Sequence, residues 1–231
     1  MSTSLFNTRS IGLRSWLLRI GLIWLIGGIT FLRPVAGSSE LLVDPTVDHR
    51  DVARLASNPA TDRNQLLDDY FLEIRDLPFN YGNVGSVLEA IAYIELTRIY
   101  PPPRYQVLAN TEYRDANGRT VGELDILVYD LSAGHVDSVY EVKLTASPSR
   151  AGKHARQQLL RFQKYIKDDL IYDFMGSYPQ ARLEAADFKK STKYLLIGGS
   201  ETLDYDWAIQ LDIRRDEGDV LQERIRDYQK D

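Results

Sequence analysis

The sequence predicts an α/β domain at the α+β boundary, a central mixed sheet of four to five strands flanked by helices, in the order α-β-β-β-α-β. Three observations predict it. Residues 122–129 and 139–144 alternate polar and apolar side chains on either side of a turn at Ser132-Ala133-Gly134, the period-two mark of half-buried strands. Two stretches of helical periodicity, 86–100 and 149–174, bracket that hairpin. A short apolar run at 193–197 follows, far enough on to return as a strand parallel to a neighbour.

In chain order, short helices are expected over 47–56 and 64–75, joined through Asn58-Pro59, with a turn at 80–83. The helix at 86–100 is stopped by Pro101-Pro102-Pro103. A first strand at 104–113 leads into Asp115-Ala116-Asn117-Gly118, whose Asn-Gly pair signals a hairpin turn. The long helix at 149–174 places Ala155, Leu159, Phe162, Ile166 and Leu170 on one face. The strand at 193–197, another at 207–213 and a terminal helix at 220–228 complete the order. The expected divisions are 1–37 as a targeting segment, 38–83 as a helical appendage and 84–231 as the α/β domain.

Residues 1–37 read as a signal peptide. Arg9, Arg14 and Arg19 precede an uncharged, mostly apolar run of 13 residues, 20–32, short for a membrane span, and Val35-Ala36-Gly37 offers small residues for cleavage. Cleavage there makes the protein secreted or periplasmic, beginning near Ser38; the alternative is an uncleaved membrane anchor, with transient membrane contact through 11–32. This segment holds four arginines and no acid, so 24 basic and 33 acidic residues remain, a net charge of −9. So acidic a remainder is no general nucleic-acid binder, and phosphate contact falls to a local patch or a metal ion.

The chain has no cysteine, which excludes disulfides, thiolate metal sites and cysteine nucleophiles. His49, His135 and His154 lack zinc spacing, and no P-loop, nucleophile elbow or dinucleotide fingerprint is present. The chemistry concentrates in the hairpin. Alternation sets Leu124, Ile126 and Val128 on one face with Tyr140, Val142 and Leu144, and Glu123, Asp125, Glu141 and Lys143 on the other. A hairpin symmetric about Ala133 sets Asp125 opposite Glu141 and Glu123 opposite Lys143, with Cβ atoms ~4.5–5.5 Å apart. Two carboxylates so placed call for a cation or a shared proton, and the geometry suggests a divalent metal. The plain alternative is a Glu123–Lys143 ion pair on an exposed face, with Asp125 and Glu141 solvated.

Asp125 followed by Glu141-Val142-Lys143 resembles the PD-(D/E)xK phosphodiesterase superfamily, the restriction-endonuclease-like nucleases, over roughly 86–199. The proline of the nominal motif is missing, since Glu123-Leu124 precede Asp125. The resemblance implies a restriction-endonuclease-like core, with Asp125 and Glu141 as ligands of Mg²⁺ or Mn²⁺ and Lys143 as the catalytic lysine. It also implies that Glu89 is the acidic residue of the preceding helix, and Gln158, or Gln157, the glutamine of the following one. Glu89 has a second reading, since Ser86-Val87-Leu88-Glu89 is a capping-box pattern, although its stripe with Ala92 and Leu96 aims it inward. Arg150, Lys153, Arg156, Arg161 and Lys164 make the 149–174 helix the strongest local basic patch for phosphates.

Three functions remain open on these grounds. The first is a metal-dependent nuclease acting on nucleic acid, DNA foremost, outside the cytoplasm. The second is a catalytically inactive binding or assembly module of the same fold. The third, a carboxylate-paired hydrolase of cell-wall sugars, is disfavoured by the lysine beside Glu141 and by the lack of an aromatic-rich groove.

Overall fold

A computed structural model describes residues 62–230 apart from 203, 204 and 206. The expected signal or anchor at 1–37 and the helix expected at 47–56 lie outside the described residues. The elements are α1 (Arg63–Ile74), α2 (Gly85–Ile99), β1 (Tyr105–Arg114), β2 (Thr120–Asp130), β3 (His135–Lys143), α3 (Pro148–Lys167), β4 (Asp173–Met175), β5 (Phe188–Gly198), β6 (Ile209–Gln210) and α4 (Arg215–Tyr228). The six strands form one mixed sheet in the order β4-β1-β2-β3-β5-β6. β4, β1, β2 and β3 pair antiparallel, and β5 and β6 join in parallel after the α3 crossover. The expected core order is present; β4, in a stretch read as helix, brings the count to six, and the strand expected at 207–213 is the two-residue edge strand β6. Among the described residues no helix is long and apolar enough to cross a membrane.

Both faces of the sheet are covered, so the expectation of half-buried strands is corrected. On one side Val107, Ala109, Ile126, Val128, Tyr140 and Val142 pack with residues of α1, α2 and α4. α2 is apolar nearly all round, with Val87, Leu88, Ala90, Ile91, Ala92 and Leu96 buried, which suits a helix enclosed between a sheet and other helices. It ends where Tyr100 leaves helical geometry at φ −115° and ψ 72°, as a residue preceding proline must. On the other side Leu108, Tyr113, Leu124, Leu127, Val136 and Val139 meet Ala155, Leu159 and Phe162 of α3.

α3 is shorter than its apolar periodicity suggests. The helix ends at Lys167, Asp169 turns the chain with φ 54°, and Phe174 lies in β4 rather than in the helix. Leu170, expected on the buried stripe, is 48 % exposed. The spacing from Ile166 to Leu170 continued the helical period by coincidence, whereas pairing of Tyr113 with Phe174 gives this segment backbone partners on β1.

Phe162 anchors the α3 side, with its ring 5.0 Å from both Tyr113 and Phe188. It is fully buried. Phe162→Ala is expected to cost about 3–5 kcal/mol in urea unfolding, from reduced burial plus the cavity left behind. A loss under about 1.5 kcal/mol would show that this aromatic cluster does not hold α3 to the sheet.

Candidate functional site

The strand alternation slips one step at the place where the chemistry sits. Ala109 pairs with Ile126 and Thr111 with Leu124, while Asn110, with φ 55°, takes no partner in that ladder. Asparagine tolerates this left-handed backbone better than most residues. As a result Leu124 packs on the α3 side with Leu127, whereas Ile126 packs on the other, so the three residues expected to share a face do not. The β2–β3 register holds as expected at Ile126–Tyr140, Leu127–Val139 and Val128–Ser138, then shifts by one before Tyr129–Val136.

Beyond Ile126–Tyr140 a side chain replaces the strand ladder. Asp125 Oδ2 accepts the backbone N–H of Val142 at 2.7 Å and the Lys143 ammonium at 3.4 Å. Lys143 Nζ also lies 2.5 Å from Glu141 Oε1. Glu141 Oε1 is thus buried with the lysine ammonium as its partner. The Glu141 side chain is 1 % exposed, Asp125 13 % and Lys143 29 %. The cross-strand Glu123–Lys143 pair is thus not the one formed; Lys143 bridges the two carboxylates instead.

Burial raises the pKa of every acid in this group. Glu141 is pushed up to about 7 by burial and then by the charge of Asp125, against Lys143 and Arg161. Glu89 is pushed up to about 8 by burial and by Asp125. Asp125 is raised by burial in spite of Lys143 and the Val142 N–H, and Glu123 by burial and Asp125. Burial pulls the Lys143 ammonium down, but Asp125, Glu141 and Glu89 outweigh it and hold the lysine charged.

Glu89 therefore reaches this group electrostatically from α2. The capping-box reading is corrected, because α2 starts at Gly85 after Val84, and the side chain that accepts a first-turn N–H is Asn83, whose Oδ1 takes the Ser86 N–H at 3.1 Å. Gln158 sits half-buried on α3 and Gln157 is exposed. The α3 residue whose charge reaches Glu141 is Arg161, which also hydrogen-bonds the Tyr113 hydroxyl. Arg161 follows Gln158 by one helical turn, a spacing the sequence offered but that reads equally as part of the outer basic patch.

The arrangement suits a hard divalent cation. Asp125 and Glu141 present carboxylate oxygens from adjacent strands, both acids are raised by burial, and Lys143 supplies the positive charge between them that an ion would otherwise supply. Among the described residues no three acidic or histidine side chains converge as a metal-holding group. Mg²⁺ or Mn²⁺ would thus take two carboxylates, with backbone oxygen and water completing its shell.

No family model matches the chain, and no curated protein matches it. Among solved structures it is similar to NucC of P. aeruginosa ATCC27853 in its cAAA-bound form, at 21 % identity over 43 % of this chain and 49 % of that one, with a TM-score of 0.24. It is also similar to cAAA-bound NucC of E. coli MS115-1, at 20 % identity over 68 % of this chain and 67 % of that one, with a TM-score of 0.28. The chain thus spans about half the length of the first of these. Likeness at these scores supports no inference about activity.

Proposed function

We propose that the chain is a restriction-endonuclease-like, Mg²⁺- or Mn²⁺-dependent phosphodiesterase that hydrolyses nucleic acid, DNA foremost, outside the cytoplasm. One observation carries the reading: two buried carboxylates, Asp125 and Glu141, converge on one lysine where β2 and β3 part. In this reading Asp125, Glu141 and the Val142 carbonyl hold the ion. The chemistry such an ion would supply is an acidified water and neutralisation of charge on the phosphate. Lys143 then turns to the phosphate oxygens and stabilises the charge that builds there. Glu89 holds a water at the edge of the site, and Gln158 and Arg161 flank it from α3. The setting rests on the Arg-flanked apolar run at 20–32, and an intact N terminus on protein from the native cytoplasmic fraction overturns that part alone.

The test is plasmid nicking by the purified chain with Mg²⁺ or Mn²⁺ and with EDTA, beside melting temperature under the same conditions. A bound ion raises the melting temperature by mass action. Nicking and stabilisation that both vanish in EDTA are expected. The Lys143 bridge favours a second reading, a binding module whose carboxylates are permanently neutralised by that lysine. No metal-induced stabilisation and no cutting would establish it.

A further inference from the structure

On a chain of net charge −5, α3 carries six cations and no acid. Arg150, Lys153, Arg156, Arg161, Lys164 and Lys167 are all exposed. At ~100° per residue they fall within one sector of about 140°, turned away from the buried Ala155, Leu159 and Phe162. Beside the C-terminal half of the helix lies a groove of about 670 Å³ between α3 and the start of β5. Lys164, Lys167, Lys189 and Lys190 line it against one acid, Asp168, over a floor that includes Phe188 and Tyr194. Among the described residues Lys153, Lys164, Lys167 and Lys190 make no ion pair. Unpaired lysines gathered on one face of an acidic protein leave a positive potential that a polyanion can neutralise.

We infer that the outer face of α3 and this lysine groove form a track for a nucleic-acid phosphate backbone, leading to the carboxylate site at Arg161. The inference rests on the nucleic-acid reading of that site and names where its substrate lies. From Arg150 to Lys167 the helix rises ~26 Å, about seven phosphates of one duplex strand at ~3.4 Å each. Arg161 joins the two features, since it is exposed on the basic face and its charge also reaches Glu141. Lysines on flexible stems meet phosphates without reading bases, so the track binds independently of sequence.

Binding of a short labelled duplex to the full chain in EDTA, followed by fluorescence anisotropy across a salt series, tests the track without relying on cleavage. The combined variant Lys164→Ala, Lys167→Ala and Lys190→Ala is expected to bind at least ~10-fold more weakly at low salt. Its slope of log affinity against log salt should be shallower by about 2–3, at about 0.9 for each phosphate the variant no longer neutralises. Lys230→Ala, at the end of α4 on the opposite side of the sheet, should match wild type. Asp125→Asn should still bind, because the track does not use that carboxylate. Equal affinity and slope in the triple variant overturn the inference, as does lysine-dependent binding of anionic lipid vesicles without binding of duplex. Lysine-dependent duplex binding by a chain that never nicks would sink the catalytic reading and leave the track standing.

Discussion

Asp125→Asn is expected to lower metal-dependent nicking by more than ~10³-fold, and Lys143→Ala by about 10²–10³-fold, the usual effect of removing one group that stabilises developing charge. The two variants should part on metal binding. Asp125→Asn keeps an oxygen that can accept the Val142 N–H but loses the charge an ion requires, so its melting temperature should no longer respond to Mg²⁺ or Mn²⁺. Lys143→Ala frees Glu141 and Asp125 of their internal cation. It should melt lower in EDTA, because Glu141 is left buried without a counter-charge. It should also gain more stability from metal than wild type does. If the charges serve only the strand pairing, the pattern reverses: Asp125→Asn then keeps full activity and gains stability by relieving repulsion with Glu141.

The order of elements and the pairing of Ile126 with Tyr140 were legible because alternation and turn residues are local signals. So was the conjunction of Asp125, Glu141 and Lys143, which needs only two adjacent strands and their register. What was not legible depends on residues distant in sequence. The face change between Leu124 and Ile126 accompanies the left-handed backbone at Asn110, on a different strand, and period-two reading of β2 alone cannot register it. The end of α3 was missed because Leu170 fits a helical stripe, while the pairing that draws Asp173–Met175 onto β1 lies some sixty residues away in the chain. Arg161 was read as a phosphate-facing cation and not as a neighbour of Glu141, since one exposed side chain on a helix can serve both roles.

In EDTA the chain is expected to lose stability as pH rises from about 5 to 8, against the common trend for proteins rich in paired carboxylates. Glu141 and Glu89 hold protons in the folded state up to about 7 and about 8, against an ordinary 4.5. Between those limits the folded chain binds more protons than the unfolded one, so each step up in pH favours unfolding. Their contribution is complete below 4.5 and gone once pH passes through the raised values. At ~1.4 kcal/mol per pKa unit, Glu141 alone weakens the fold by roughly 3 kcal/mol across that window. The carboxyls held low, among them Glu112, Asp130 and Glu217, act in the opposite sense but below this window, as pH falls through their own lowered values. A divalent ion needs the ionised carboxylates, so Mg²⁺ should raise the melting temperature at pH 8 and hardly at pH 5.5. Glu89→Gln and Glu141→Gln should each flatten the EDTA profile, because an amide has no proton to lose. Scanning fluorimetry across that range decides it: a wild-type melting temperature that is flat or rises toward pH 8 would mean that these acids are already ionised in the folded chain, and that the site is wetter than its burial indicates.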